Sequence, residues 1–543
     1  VLPCEGVVTP FAALLDGLVL TPQRNAKLRM LTAYLRATPD PDRGLALAAI
    51  TRVLDIRSVK PALLRSLVEA REDAELFRLS YDYVGDLAET IALIWPARSQ
   101  PQSMRLSDVV AALNAAGRSD APALVERLLD NLGPSERYAM LKLVTGGFRI
   151  GLSARLAKQA LADLGGQDVT AIEELWHGLS PPYSGLFAWL EGRGPKPASA
   201  AAAPFRPVML ATPLEDGARD TLDPAGFAAE WKWDGIRVQA VSEAGTRRLY
   251  SRTGDDIGAA FPDLLAALNF EGAIDGELLV RRGAAVAPFN DLQQRLNRKA
   301  VSPRLLASHP AALRAYDLLV DGAEDLRPRP FAERRARLSV LVAGLDPARI
   351  DLSPLLDFAD WDALARLHAC PPDPVIEGVM LKRKDSAYVP GRPKGPWFKW
   401  KRDPYIIDAV LMYAQRGHGK RSGYYSDYTF GVWQGDRLVP VGKAYFGFTD
   451  EELRMLDRYV RENTVERFGP ARSVRAEPGH GLVLEVAFEG LQRSGRHRSG
   501  VAMHFPRIAR LRWDKPPAEA DRIETLEAML APDAAGATPV RTP

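Results

Sequence analysis

Along residues 1–195 apolar side chains recur every three or four positions and almost never alternate. Leu28, Leu31 and Leu35 share one face, as do Val109 and Leu113, and then Leu124, Leu128 and Leu129, the spacing of amphipathic helices. Thr21-Pro22 reads as a helix start, a capping hydroxyl followed by proline at the first helical position. The run Pro195-Lys196-Pro197-Ala198-Ser199-Ala200-Ala201-Ala202-Ala203-Pro204 then has linker composition. From Phe205 the period shortens. Ile236–Val241 and Arg247–Ser251 predict a hairpin around Glu243-Ala244-Gly245, while Phe289–Leu296 and Pro330–Leu341 predict helices. Beyond Tyr405 the chain turns mostly to strand: Ile406–Met412, Tyr428–Trp433, Leu438–Tyr445 and Val483–Phe488, with Gln434-Gly435-Asp436 as a turn and one helix near Asp450 to Phe468. The pattern predicts a multidomain fold. An all-α region (1–195) and a linker (196–204) precede an α+β domain with antiparallel sheets (205–402), an OB-type β-barrel (403–530) and a disordered tail (531–543). No internal repeat is evident.

Composition narrows the function classes. The 543 residues have room for about two to four domains. A formal charge of only +3 means that any nucleic-acid binding must come from local basic patches. Two cysteines, Cys4 and Cys370, cannot build a four-cysteine zinc site or a disulfide framework, which points to a reducing cytoplasm. No apolar run reaches the length of a membrane span, and the amino terminus carries no basic-then-apolar leader. The chain opens Val-Leu-Pro without methionine, so its start is expected to be trimmed or misassigned.

Candidate chemistry centres on Glu230-Trp231-Lys232-Trp233-Asp234-Gly235-Ile236-Arg237. Lys-x-Asp-Gly running into a strand reads as a sharp turn that presents a lysine, with Gly235 supplying backbone freedom. Among other cations such a lysine can lose its proton and attack phosphorus. Lys399 and Lys401 alternate on a strand, point to one side, and are expected to depress the pKa of Lys232 by repulsion. A second segment, Thr145-Gly146-Gly147-Phe148-Arg149-Ile150-Gly151-Leu152-Ser153, interrupts two helices, with Ser153 able to cap the second. Basic loops at Arg416–Tyr424, including Lys420 and Arg421, and at Gln492–Arg498, including Arg493, suit a phosphate backbone.

In order along the chain come Lys232-Trp233-Asp234-Gly235, Ser251-Arg252-Thr253-Gly254, Ala273–Leu278 with Asp275-Gly276-Glu277, Tyr316–Leu319, Glu377–Lys382, Trp397–Lys401, and Phe505-Pro506-Arg507 running to Asp514-Lys515. This set resembles the complete ordered motifs of ATP-dependent DNA ligases, members of the covalent nucleotidyltransferase superfamily. Gly146–Gly151, within the second segment, resembles the Gly-x-x-Arg-x-Gly turn of their helical DNA-binding domain. The resemblance implies a DNA-binding domain at 1–195, an adenylation domain at 205–402, and sealing of nicks in duplex DNA through a lysyl-AMP on Lys232. It also implies ATP as substrate and Mg²⁺, for which Mn²⁺ can substitute.

Glu230, Arg237, Arg252 and Arg392 are then expected to complete the nucleotide pocket, and Tyr316 to stack on adenine. Lys399 and Lys401 neutralise phosphate, Arg507 and Lys515 orient the β- and γ-phosphates, and Asp234 orients the site. Glu377 is the better metal ligand, and Glu277 either a second one or a ribose contact. Gly147 and Arg149 are expected on DNA, with Lys142 a weaker candidate. His504 stands where the family usually has arginine. The run Gly391-Arg392-Pro393-Lys394 is one residue longer than the family spacing. The layout is similar to bacterial accessory repair ligases, which implies a monomer working with repair proteins on nucleoid DNA. The rivals are an RNA ligase or GTP-dependent capping enzyme, against which the helical region speaks, and a catalytically silent DNA-binding scaffold, against which Lys232, Glu377 and Lys399 speak.

Overall fold

The computed structural model describes residues 8–530 except 97–101, 103, 199–201, 216, 297, 299, 418–424, 446, 448, 470 and 496. The predicted tail and the centre of the predicted linker therefore lie outside the described residues, as do Lys420 and Arg421. The chain divides into two compact units, one of residues 1–160, 181–184 and 403–543, the other of 161–180 and 185–402.

The amino-terminal region is helical from Thr9–Leu20 to Ser184–Leu190, and no strand occurs in it among the described residues. Leu31, Leu35, Val109, Leu113, Leu124, Leu128 and Leu129 are buried, as their spacing predicts. The Thr21-Pro22 start is displaced. The first helix ends at Leu20, Thr21 caps its carboxyl end through its N–H to the Gly17 carbonyl, and the next helix begins at Arg24. Proline disfavours helical backbone in the residue before it, so Thr21 closes one helix and does not open another. Ser153 does cap the helix Ala154–Gly165, accepting from the Leu156 N–H at 3.2 Å.

The second unit holds two sheets. One runs Thr212–Pro213, Trp397–Lys401, Ile376–Arg383, Phe227–Trp233, Leu355–Leu356. The other has Ile236–Glu243, Gly272–Arg282 and Ala311–Asp321 at its centre. Pairing is antiparallel apart from two short parallel contacts. The predicted hairpin forms with Ala244 (φ 48°) and Gly245 (φ 72°) at its tip, the left-handed pair that a two-residue turn requires. Val241, Ala273, Leu319, Tyr250, Tyr388 and Trp397 form one buried cluster that joins the two sheets. The helix expected at Phe289–Leu296 stops at Gln293, and the one at Pro330–Leu341 runs Phe331–Ala343. At the linker's carboxyl end Ala203 is buried, and its carbonyl accepts from the Tyr250 hydroxyl at 2.8 Å.

Residues from Tyr405 build a seven-stranded sheet around a core that includes Leu411, Phe430, Leu484 and Phe488. The helix Asp450–Glu462 opens with a capping box between Thr449 and Glu452. It ends short of the predicted Phe468: Thr464–Phe468 is a strand paired with Ala471–Val474. Threonine, valine and phenylalanine there favour extended backbone once Asn463 has closed the helix.

Candidate nucleotide site and its cation cluster

Three neighbouring strands carry the centre of the site in register. Lys232 pairs with Gly378, and Gly378 with Lys401. Two residues along, Glu230 pairs with Met380, and Met380 with Lys399. Because alternate residues share a face, Glu230, Lys232, Lys399 and Lys401 stand on one side of the sheet. Ladder pairing is interrupted between Ile376 and Gly378, and such a bulge re-aims the side chain it carries. That side chain is Glu377, whose Oε2 is in contact with Lys232 Nζ and 4.0 Å from Lys401 Nζ. Gly378 (φ 149°) makes the bulge possible, since a Cβ there would stand 2.1 Å from the Trp400 carbonyl oxygen. Gly235 is needed for close approach and not for a left-handed turn, because a Cβ would meet the Leu278 carbonyl oxygen at 2.6 Å.

The electrostatics correct one expectation. Burial alone would favour the neutral amine of Lys232. Glu377 outweighs it, with smaller help from Glu277 and Asp234, so the pKa of Lys232 is raised, not depressed. Lys399 is lowered, through burial and then the repulsion of Lys401, Arg392, Lys232 and Arg252, and Lys382 is lowered by its burial. Arg252 is lowered by burial and by Arg237 and Arg392. These mutual effects bring Lys232, Lys399, Lys401, Arg252 and Arg392 into one cationic cluster, the field a polyphosphate needs. Burial, with added repulsion from Glu377 and Asp275, pushes the Glu277 carboxyl up to about 8. Among the described residues no group of three or more His, Cys, Asp or Glu side chains forms a ready metal cage. Glu377 and Glu277 still fit Mg²⁺, which takes one or two carboxylates together with substrate phosphates and keeps several waters.

Arg237 is anchored by the buried Asp275. Its guanidinium pairs with both oxygens of the buried Asp275 (3.1 and 2.6 Å) and donates to the Met209 carbonyl (2.6 Å) and the Tyr388 hydroxyl (3.0 Å). Tyr388 and Tyr316 also donate to Asp275, at 2.7 and 3.3 Å. Asp275, Tyr388, Met380 and Lys382 are absent from the sequence-derived site. For Asp275 and Lys382 the available signal was a charged residue inside an apolar strand, since a buried charge has to be paired. Lys382 pairs with Glu230 at 2.5 Å, and its ammonium lies 4.2 Å from the centroid of the Tyr316 ring.

The remaining predicted residues lie in the other unit. Gly147 and Arg149 are exposed in a turn where Gly146, Gly147, Arg149 and Gly151 all have positive φ. Lys142 is not a free cation: it is buried, pairs with Asp86 at 2.6 Å and donates to the Gly147 carbonyl at 3.1 Å. Arg507 opens the strand Arg507–Arg512 with Nη1 3.8 Å from Glu489, and Lys515 pairs with Asp408 at 2.7 Å. Arg493 ends the strand Gly490–Arg493 and is exposed. His504 packs edge-on against Phe505.

A sheet that sets a half-buried lysine and a carboxylate beside a cluster of basic side chains defines a nucleotidyl-transfer class of site. Residues 208–401 match the family model for the ATP dependent DNA ligase domain, and residues 421–515 the model for the ATP dependent DNA ligase C terminal region. A probable DNA ligase of Koribacter versatilis is 30% identical over 94% of both chains. DNA ligase 1 of Korarchaeum cryptofilum is 31% identical over 81% of this chain and 82% of its own. The solved structure of Pmar-Lig_PreS3 shares the fold over 92% of this chain and 99% of its own, with TM-score 0.59 at 14% identity. The protein belongs to the ATP-dependent DNA ligase family. Its cofactor-substrate is ATP, used with Mg²⁺, and its polymer substrate is DNA. Among the described residues no helix is long and apolar enough to cross a membrane.

Proposed function

We propose that Lys232 is the nucleophile of a nick-sealing cycle in which the other site residues bind and orient. ATP enters with its base against Tyr316 and its phosphates among Lys399, Lys401, Arg252 and Arg392. Lys232 Nζ attacks the α-phosphorus, a P–N bond forms, the α–β bridging P–O bond breaks, and pyrophosphate leaves. Attack needs the neutral amine, so the contact with Glu377 must relax as the triphosphate enters. The 5′-phosphate of the nick then attacks the lysyl-AMP, releasing Lys232 and forming a 5′–5′ pyrophosphate. Finally the 3′-hydroxyl attacks that phosphate and expels AMP, with Asp234 orienting the site. Mg²⁺ held by Glu377 and Glu277 would supply charge neutralisation on the phosphates. The register of Lys232, Glu377 and the two lysines across three strands is the observation that carries this assignment.

Arg237 enters the proposal as the residue that holds Asp275, Tyr316 and Tyr388 together. Arg507 and Lys515 are assigned to the triphosphate, and Gly147, Arg149 and Arg493 to DNA, by family resemblance. The domain limits at 195, 205, 402 and 530 and the OB identity of the barrel rest on linker composition and strand pattern, and action as a monomer with repair proteins on the bacterial nucleoid rests on the resemblance. Intact mass after incubation with Mg²⁺ and ATP or GTP tests the chemistry. One AMP is expected from ATP alone, with no adduct in Lys232→Ala. A GMP adduct favours capping chemistry, and no adduct from folded, unmodified protein favours the silent scaffold.

A further inference from the structure

Two arginines of the cation cluster are held in different ways. Arg237 is pinned through its own guanidinium by Asp275, Met209 and Tyr388. The exposed Arg252 side chain makes no hydrogen bond or ion pair among the described residues, and the charges of Arg237 and Arg392 repel it. Its place in the cluster therefore depends on the backbone that carries it. That backbone is a closed turn, in which the Ser251 N–H donates to the Asp255 carbonyl at 2.8 Å and the Gly254 N–H to the Ser251 carbonyl at 2.9 Å. Within the turn the Thr253 hydroxyl donates to Asp255 Oδ2 at 2.5 Å, and the Ser251 hydroxyl lies 3.3 Å from the same oxygen. Ser251 Oγ in turn accepts the N–H groups of Thr253 and Asp255, at 3.3 and 3.2 Å. The residues on either side of Arg252 thus converge on one oxygen of an exposed carboxylate.

We propose that Asp255 is a positioning residue for ATP binding: by gathering the hydroxyls of Ser251 and Thr253 it fixes the backbone from which Arg252 reaches the triphosphate. An ionised carboxylate only accepts, so it draws both hydroxyl protons into the turn and leaves the Ser251 lone pairs to the two N–H groups. The role is geometric, because the charge of Asp255 itself opposes a triphosphate. Without an acceptor at this position the hydroxyls turn to water, and Arg252, repelled by its neighbours, is no longer held in the cluster before ATP arrives. ATP must then order the turn as it binds, and that ordering is subtracted from its affinity. The inference rests on the assignment of Arg252 to the phosphates.

The test is KM for ATP and kcat of lysyl-AMP formation in the full chain, with melting temperature measured alongside. Asp255→Ala is expected to raise KM about tenfold and to leave kcat within about twofold of wild type. Asp255→Asn, which keeps an acceptor oxygen and loses the charge, is expected to hold KM within about twofold of wild type. In an Arg252→Ala background Asp255→Ala is expected to add nothing further. A folded Asp255→Ala protein with wild-type KM overturns the proposal. So does a lower KM in both Asp255 variants, the mark of a charge effect, or a loss of kcat and melting temperature with KM unchanged, the mark of packing alone. Should Asp255→Ala fail to fold, Thr253→Val removes the shortest bond of the turn and leaves the carboxylate in place. It is expected to raise KM in the same direction, and an unchanged KM in it counts against the proposal equally. Arg252→Ala separates the two levels: if it leaves KM unchanged, the assignment of Arg252 to the phosphates fails. If it raises KM and Asp255→Ala does not, the inference fails and the assignment stands.

Discussion

Several buried arginines of the second unit are committed to single carboxylates, and the pair at Asp263 bears on how the domain responds to acid. Asp263 receives Arg295 in a bidentate pair, Arg349 at 2.9 Å and the Ala311 N–H at 3.0 Å. Burial alone would raise its pKa, but these donors outweigh it and hold the carboxyl below the ordinary aspartate range. A group whose folded pKa is depressed stabilises the fold above its unfolded pKa, and that contribution drains away as pH falls through the folded value. Asp263→Asn should therefore cost about 3 kcal/mol at neutral pH by leaving Arg295 buried and unpaired. The gap to wild type should narrow below about pH 4. Urea unfolding at a series of pH values measures both, and a constant gap from pH 7 to 3 would contradict the account.

At the scale of elements, the bulge at Glu377-Gly378 converts a strand into a site. Gly378→Ala should be destabilising by at least about 2 kcal/mol, because its φ of 149° is strained for alanine and its Cβ has no room. Adenylylation should fall well beyond what the unfolded fraction explains, since the backbone that aims Glu377 at Lys232 has to shift. Melting temperature and adduct formation measured on one sample separate the two losses. A stable, fully active variant would show that the bulge is incidental.

How much of this was legible in the sequence follows from the range of each contact. Lys399 and Lys401 were readable as one-faced because alternation is local, and the hairpin at Ala244-Gly245 because a two-residue turn is local. The Arg237–Asp275–Tyr388 node joins residues up to 151 positions apart, and no period or composition encodes that. Lys142 misled for the same reason: a lysine late in a helix reads as a surface cation, and only the fold brings Asp86 to it. The expected depression of Lys232 failed because Lys399 and Lys401 were visible as neighbours in sequence, whereas the aim of Glu377 depends on a bulge.

For the whole molecule, the proposed assignment puts the chemistry and the grip on DNA in separate parts of the chain, so the two should be separable by mutation. Arg149 is exposed at φ 49° in its glycine turn, and Lys142 braces that turn from inside. Arg149→Ala should weaken binding to a nicked duplex, lower the slope of log affinity against log salt by about 1, and leave adenylylation unchanged. Unchanged affinity across the salt series would reduce the turn to packing. Lys142→Ala should instead lower the melting temperature.

One feature of the second unit bears on how a minimal ligase could be cut from this chain. His177 packs against Phe205 and Tyr250, and Glu174 pairs with Arg327 at 2.8 Å. The composition break at 196–204 invites a truncation at Phe205, but that cut strips the aromatic lid and leaves Arg327 with one carboxylate fewer. It would also open a greasy wound beside Ser251–Gly254, the loop that carries Arg252. A truncation that keeps these contacts begins ahead of Glu174, upstream of the composition break.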